Sequence, residues 1–187
     1  MEDKRSLRTR LRDARARRSP ADVEAAAVAL AERGVSAVGD AKTVAAYASI
    51  RDEPPTQLLL DELRRRDVQV LLPRVAEGDL EWAPYESWAA LAMTDRGLRE
   101  PTGPAIAASL ADIAEVVLAP ALAVDRRGNR LGRGAGYYDR ALAAVSHDRV
   151  IAVVFDDEVL DSLPADAHDV PVATALTPSG LVALSGD

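Results

Sequence analysis

Short apolar runs of strand length alternate along the chain with segments in which apolar residues recur at helical spacing. The apolar runs occupy residues 43–48, 68–72, 116–124, 150–154 and 174–182, with a less regular one at 79–83. Helical periodicity marks residues 3–18, 20–34 and 56–66, and a further helix is expected from Tyr137. Since buried parallel strands read as apolar runs separated by helices, the pattern predicts the α/β fold class, with three α/β/α layers and a mostly parallel, Rossmann-like sheet.

Proline, glycine and serine set the predicted ends of these elements. Ser19 is a candidate N-cap, and Pro20 suits the first turn of the second helix. That helix is expected to end near Gly34, and the strand at 68–72 is expected to stop at Pro73. No linker is long enough to separate two domains, so residues 1–187 are expected to form a single domain.

The fold class also predicts where a ligand would bind. In open α/β sheets, ligands lie at the carboxyl ends of the strands. The loops to inspect therefore follow Ala48, Leu72 and Val124, and they carry Glu53, Arg74 and Asp125.

The charge balance narrows the range of partners. The 23 Lys and Arg residues against 30 Asp and Glu residues give a net charge of −7. Nucleic-acid binding requires a basic face, so no nucleic-acid partner is expected. Residues 1–18 are locally basic, which indicates either a solvated helix face or a site for an anion.

Cysteine is absent, and His147 and His168 are the two histidines, so disulfides and His-rich metal sites are excluded. No apolar run approaches the roughly 18–20 residues of a membrane span. The first residues lack the apolar stretch of a secretory signal. We expect a cytoplasmic monomer without a membrane partner.

The strongest local signal is a glycine-rich loop at residues 130–136. Gly132, Gly134 and Gly136 alternate with other residues, so the backbone can adopt conformations that a Cβ forbids and can approach a bulky anion. Arg130 and Arg133 add positive charge, and the helix that follows favours phosphate at its start. The loop matches neither a P-loop nor the dinucleotide-binding fingerprint. The alternative is a flexible turn before an ordinary helix.

This loop and its surroundings resemble the signature of the 5-formyltetrahydrofolate cyclo-ligase family. The resemblance rests on residues 120–125 and 128–140, and it extends to 4–8, 49–56, 71–73, 163–164 and 168–169. It implies an enzyme that uses ATP and Mg²⁺ to close 5-formyltetrahydrofolate to 5,10-methenyltetrahydrofolate, releasing ADP and phosphate. The formyl oxygen would be phosphorylated first, and N10 of the folate would then attack the activated carbon.

The resemblance also implies roles for particular residues. Arg133 and Tyr137 would be catalytic, whereas Tyr138 shares a helix face with Leu142 and is also a candidate core residue. The implied ATP-binding residues are Lys4, Arg5, Ser6, Leu7, Arg8, Arg130, Leu131, Gly132, Arg133, Gly134, Ala135, Gly136, Tyr137 and Tyr138.

For the folate, the resemblance implies binding by Ile50, Glu53, Pro55 and Trp82, where Trp82 begins an aromatic cluster with Tyr85 and Trp88. For Mg²⁺ it implies Asp139 and Asp169, and Mg²⁺ prefers a few carboxylates plus phosphate oxygens. The chain departs from the family pattern at Ala135, Pro55, Ala173 and Thr174.

Three alternatives remain open from the residues alone. The chain could be an ATP-dependent kinase or ligase for another substrate, or a nucleotide-binding module without catalysis. Each aromatic residue of the cluster could pack in the core instead of against a ligand. His147 has no Ser or Asp partner at a spacing diagnostic of acid–base catalysis, and His168, which precedes Asp169, is interpreted as an orienting neighbour of that residue.

Overall fold

A computed structural model describes residues 2–164, 166 and 170–184 of the chain. The α-helices of this part are α1 (Lys4–Ala16), α2 (Pro20–Val38), α3 (Gln57–Arg65), α4 (Leu110–Ile113) and α5 (Tyr137–Leu142). Its strands are β1 (Thr43–Ala45), β2 (Gln69–Ala76), β3 (Asp79–Pro84), β4 (Ala92–Met93), β5 (Arg99–Glu100), β6 (Val116–Pro120), β7 (Ala123–Asp125), β8 (Arg130–Leu131), β9 (Val150–Val153), β10 (Val159–Leu160), β11 (Thr174–Thr177) and β12 (Gly180–Ala183).

The central sheet of the described residues has the strand order β12-β11-β9-β6-β1-β2-β3. Its interior pairs, from β11 through β9, β6 and β1 to β2, are all parallel. β12 and β3 each add an antiparallel strand at an edge. The predicted α/β class with a mostly parallel sheet is confirmed.

Alternation along the strands explains why both faces of the sheet are covered. In β6, the buried Val117 and Ala119 face one apolar cluster, whereas Leu118 faces the other. The first cluster also takes Leu142 from α5, and the second takes Leu30 from α2 together with leucines of α3. Helices on both faces of the sheet give the three predicted layers.

Two expected element ends are wrong for reasons of packing. α2 continues past Gly34 to Val38, and a Cβ on Gly34 would lie 2.6 Å from the side chain of Leu59 in α3. That glycine permits close helix packing and does not end the helix. Proline has no N–H to donate to a neighbouring strand, but β1 pairs with β2 only as far as Leu71. Beyond that point β2 pairs with β3 alone, so the strand continues through Pro73.

A small sheet, ordered β10-β7-β8, supports the first helix. Leu7 and Leu11 of α1 pack on Leu122, Ala123 and Leu131. The side chain of Asp3 caps α1 by accepting hydrogen bonds from the backbone N–H groups of residues 5 and 6. No helix in the described part of the chain is long and apolar enough to cross a bilayer.

Candidate active site

A cavity of about 260 Å³ opens where β1 and β6 end. Tyr47 and Ala48 follow β1, Pro120 is the last residue of β6, and Ala121 follows it. The remaining walls come from Ile50 and Glu53, from β2 and β3, from residues 98–100, and from the glycine-rich loop with the start of α5. The carboxyl ends of parallel strands thus meet the loop that the sequence singled out.

The glycine-rich loop has the conformations that its glycines were expected to allow. Gly134 and Gly136 have φ angles of +102° and +71°, which L side chains rarely adopt. Within the described residues, no acceptor takes the backbone N–H groups of residues 133–136. The loop therefore presents unpaired donors beside two arginines, which is the chemistry of an anion site.

Helix α1 contacts this loop from outside the cavity. Nε of Arg8 donates to the carbonyl of Gly132 at 2.9 Å, and Nη2 of Arg12 donates to the carbonyl of Arg133 at 3.3 Å. These bonds point the loop carbonyls towards α1. Among the residues at 4–8, the structure brings Arg8 to the loop.

The other residues of that segment lie elsewhere. The ammonium group of Lys4 contacts the carboxylate of Asp166 at 2.7 Å. Leu7 is buried in the apolar cluster beneath α1, while Arg5 and Ser6 are exposed. None of these four lines the cavity in the described structure.

Glu53 and Arg133 form an ion pair across the cavity. Nε of Arg133 donates to Oε1 of Glu53 at 2.8 Å, and the backbone N–H of Ile50 donates to Oε2 at 2.9 Å. Burial raises the pKa of Glu53, and the charge of Arg133 offsets part of that rise. The side chain of Arg133 remains 32% exposed, so a ligand can reach it.

Asp139 is held by Arg130 at the start of α5. Nη2 of Arg130 donates to Oδ1 of Asp139 at 2.6 Å, and Nη1 donates to the carbonyl of Pro120 at 3.1 Å. The Arg130 side chain is 2% exposed, whereas that of Asp139 is 27% exposed and lines the cavity.

The described residues contain no group of three or more His, Asp or Glu side chains that could hold a metal ion. Asp139 supplies a single carboxylate, which fits Mg²⁺ because that ion usually takes one or two carboxylates and substrate phosphates. Asp169 and His168 lie outside the described residues. His147 is exposed and lies away from the cavity.

Two tyrosines lie beside the arginines. The hydroxyl of Tyr137 contacts Nη1 of Arg96 at 3.5 Å, and its ring lies 5.3 Å from the guanidinium of Arg140. The hydroxyl of Tyr138 is buried and has no hydrogen-bond partner in the described structure. Burial raises the pKa of Tyr138, so its phenol stays protonated and can donate.

None of the three aromatic residues of the cluster lines the cavity: Trp82 and Tyr85 are core residues, and Trp88 is partly buried against an apolar cluster. Trp82 is 3% exposed and packs edge-to-face on Tyr138 with ring centroids 6.4 Å apart. Tyr85 is buried too, and its hydroxyl donates to Asp61. Opposite Pro73 in the β2–β3 pair, Trp82 lies on the same face of the sheet as that cavity residue, but it packs behind Tyr138 and does not itself line the cavity. Pro55 is half-buried and does not line the cavity either.

Sequence reasoning missed several wall residues. Tyr47 and Pro120 could have been found, because each lies at the carboxyl end of a parallel strand. Residues 98–100 gave no comparable signal, since β4 and β5 are two residues long. Glu100 closes that wall by accepting the backbone N–H of Val75 at 3.1 Å.

Comparisons with known proteins show which family the chain is similar to. A model of the 5-formyltetrahydrofolate cyclo-ligase family matches residues 1–178. A 5-formyltetrahydrofolate cyclo-ligase from Mycolicibacterium smegmatis is 48% identical over 152 residues, covering 76% of this chain and 77% of the relative. One from Escherichia coli K12 is 31% identical over 144 residues, covering 74% and 79%. The NMR structure of 5,10-methenyltetrahydrofolate synthetase from Aquifex aeolicus superposes with a TM-score of 0.78 at 28% identity, covering 97% of this chain and 92% of that one.

Proposed function

Because this chain belongs to the 5-formyltetrahydrofolate cyclo-ligase family, we propose that it closes 5-formyltetrahydrofolate to 5,10-methenyltetrahydrofolate with ATP, releasing ADP and phosphate. One structural observation supports this most. A single cavity joins the glycine-rich loop, with its unpaired N–H donors, to the buried carboxylate of Glu53. The anion site suits a nucleoside triphosphate, and the carboxylate beside it suits the N–H donors of a folate. The two ligands would lie next to each other, as their reaction requires.

At the phosphate end, the loop N–H groups together with Arg130 and Arg133 would bind the ATP phosphates. The γ-phosphoryl group passes to the formyl oxygen, which turns a poor leaving group into phosphate. N10 then attacks the formyl carbon, the C–O bond to phosphate breaks, and N10 loses its proton. Transfer of this kind depends on alignment and charge stabilisation, which fixed arginines supply. We assign Arg133 and Tyr137 to this reacting centre.

At the folate end, Oε1 of Glu53 would accept an N–H of the pterin. Oε2 stays bound to the N–H of Ile50, so the carboxylate keeps its orientation when Arg133 leaves it. The neutral hydroxyl of Tyr138 is an available donor for an oxygen on either ligand. Trp82 would act behind Tyr138, through packing and without touching the pterin.

Asp139 would hold Mg²⁺ on its cavity side, with Asp169 as the second carboxylate of the proposal. The ion would neutralise charge on the transferring phosphoryl group. Asp139 would meanwhile keep the hydrogen bond that its Oδ1 accepts from Arg130.

The direct test is to mix the protein with ATP, Mg²⁺ and 5-formyltetrahydrofolate and to follow the absorbance of the methenyl product. We expect product and ADP in equal amounts, and none when ATP is omitted. ATP binding without turnover would instead indicate a nucleotide-binding module. ADP formation without methenyl product would mean that the γ-phosphoryl group passes to water, and it would contradict the proposed cyclisation.

The molecule is also proposed to act as a monomer in the cytoplasm. The large apolar side chains exposed in the described structure, Val28, Leu58, Met93 and Leu181, are spread over separate elements. The proposed use of ATP fits the cytoplasm. Light scattering at micromolar concentration would test the oligomeric state.

A further inference from the structure

Arg15 is a buried cation outside the cavity wall. It lies in the last turn of α1, and its residue is 3% exposed. Nε and Nη2 donate to the two carboxylate oxygens of Glu158 at 2.7 and 2.8 Å. Nη2 also donates to the carbonyl of Ala121 at 2.6 Å. One guanidinium therefore joins α1, residue 158 and the turn that follows β6.

The same turn is held from its other side by Arg130. The carbonyl of Pro120 accepts from Arg130, whose second amino group binds Asp139. Two buried arginines thus bind the consecutive carbonyls of Pro120 and Ala121. Since Pro120, Ala121, Arg130 and Asp139 all line the cavity, the contacts run unbroken from Glu158 to the cavity wall.

Packing of α1 alone does not require this arrangement. Leu7 and Leu11 already bury the apolar side of the helix, and buried ion pairs are often replaceable by apolar residues without loss of stability. An apolar pair can supply neither an acceptor for the backbone N–H of Phe155, which donates to Oε2 of Glu158 at 2.8 Å, nor a donor for the Ala121 carbonyl, and only the second group belongs to the cavity wall. The planar fork of arginine reaches Glu158 and this carbonyl together.

We propose that Arg15 is a positioning residue: it fixes the Pro120–Ala121 turn so that Arg130 faces the ATP phosphates. The inference rests on the proposed function, since ATP is the ligand that Arg130 would meet. Arg15 itself does not line the cavity and so acts through the turn.

The first test uses Arg15→Lys, which keeps the charge but lacks the planar fork. We expect the KM and the calorimetric dissociation constant for ATP to rise by about tenfold, as for one lost hydrogen bond to a charged group. A merely structural role would lower the folded fraction and leave both constants unchanged. The matched control is Arg10→Lys, because Arg10 lies on the same helix, is exposed and pairs with Glu2.

The second test removes both charges with Arg15→Met and Glu158→Leu together. This variant leaves no unpaired buried charge, so we expect a higher melting temperature than for Arg15→Met alone. We also expect ATP binding to stay weak, since the Ala121 carbonyl still lacks its donor. If Arg15→Lys does not fold, this double variant decides the question.

Normal ATP constants in Arg15→Lys, or in the double variant, would overturn the inference. The proposed function is tested independently, with the wild-type protein. If the wild type binds ATP but forms no methenyl product, the proposed function fails, and ATP calorimetry still decides the role of Arg15. If the wild type binds no ATP, both proposals fail.

Discussion

At the scale of residues, the ion pair of Glu53 and Arg133 joins the two ends of the proposed reaction. The folate is proposed to bind Glu53, and ATP is proposed to bind Arg133. Without ligands, the two side chains are each other's partner in the ion pair. Binding therefore exchanges contacts and does not simply add them. Since the pair is largely desolvated on the Glu53 side, leaving either charge without a partner would cost stability.

Glu53→Gln tests the state of this carboxylate through pH. Burial raises the folded-state pKa of Glu53 above its ordinary value of 4.5, so the folded protein holds the proton to higher pH than the unfolded chain. The contribution of Glu53 to stability is therefore fully present below about pH 4.5 and falls as pH rises through the folded pKa. Gln does not titrate, so the unfolding free energy of wild type minus variant should fall as pH rises from about 4.5.

Urea unfolding of both proteins at pH 4.5 and at pH 7.5 measures this difference. A difference that grows with pH would mean that Arg133 outweighs burial. The same variant should raise the KM for 5-formyltetrahydrofolate more than that for ATP, because Glu53 is assigned to the pterin.

Asp139→Asn separates two roles of that side chain. Asn keeps an oxygen for Arg130, so the loss of stability should be about 1–3 kcal/mol, as for a weakened hydrogen bond to a charged group. If Asp139 also holds Mg²⁺, turnover should fall by about 10²-fold or more, since several kcal/mol of charge stabilisation are lost. The melting temperature measures the loss of stability, and the Mg²⁺ dependence of cyclisation measures the loss of the metal ligand.

The control for Asp139→Asn is Asp79→Asn. Asp79 also pairs with an arginine, Nε of Arg140 at 2.8 Å, but it is exposed and outside the cavity. If Asp139→Asn has near-normal turnover and an unchanged Mg²⁺ requirement, Asp139 does not bind the metal and only binds Arg130.

At the scale of elements, periodicity predicted the longer helices and the central strands because each buries a continuous apolar face. It missed β8 and β10, which are two residues long and carry no measurable alternation. It also wrongly predicted that α2 ends at Gly34. From the sequence alone, a glycine that makes room for Leu59 cannot be distinguished from a glycine that ends a helix. Contacts between distant elements decide such cases.

Gly134→Val tests the glycine-rich loop. Its positive φ makes any β-branched residue unfavourable by about 1–3 kcal/mol, and the new Cβ would lie 3.4 Å from the guanidinium carbon of Arg8. ATP binding should be lost, because the loop can no longer hold its N–H donors together. Calorimetry on the folded variant measures this.

Gly78→Val is the matched control for that substitution. Gly78 has a similar φ of +92° in the turn between β2 and β3, and no atom lies within 4 Å of a Cβ placed there. It should lose similar stability and still bind ATP. Normal ATP binding by folded Gly134→Val would make the loop a turn without a phosphate role.

At the scale of the whole molecule, the candidate site draws on segments from residue 8 to residue 139. Charged and glycine-rich loops were identifiable because their chemistry is visible in the sequence, as for Glu53 and Arg133. The burial of Trp82 was not, because an aromatic residue suits a pterin and a core equally well. Trp82 lies on the same side of the sheet as the cavity residue Pro73, and its burial depends on Tyr138, a residue distant in sequence that packs edge-to-face against it.

Leu11→Ala tests whether α1 opens separately from the rest of the fold. Leu11 is 4% exposed in the small cluster beneath α1, so the substitution should cost about 2–5 kcal/mol. Amide hydrogen exchange should accelerate in α1 more than in the central strands if α1 opens by itself.

Leu58→Ala is the control for this prediction, because Leu58 on α3 is 44% exposed. It should change neither the melting temperature nor the exchange of α1 appreciably. Equal acceleration of exchange in α1 and in β6 of Leu11→Ala would show that the molecule opens as one unit.

The bonds of α1 also set the order in which the site can form during synthesis on the ribosome. Arg8 is 124 residues from Gly132, and Arg15 is 143 residues from Glu158. At about 5–20 residues per second, roughly 7–30 s pass between the appearance of Arg15 and that of its carboxylate partner. Until Leu122, Ala123 and Leu131 have been made, α1 is a basic, amphipathic segment with no native surface to cover its leucines, so the nascent chain has most need of a chaperone before the cavity has a wall.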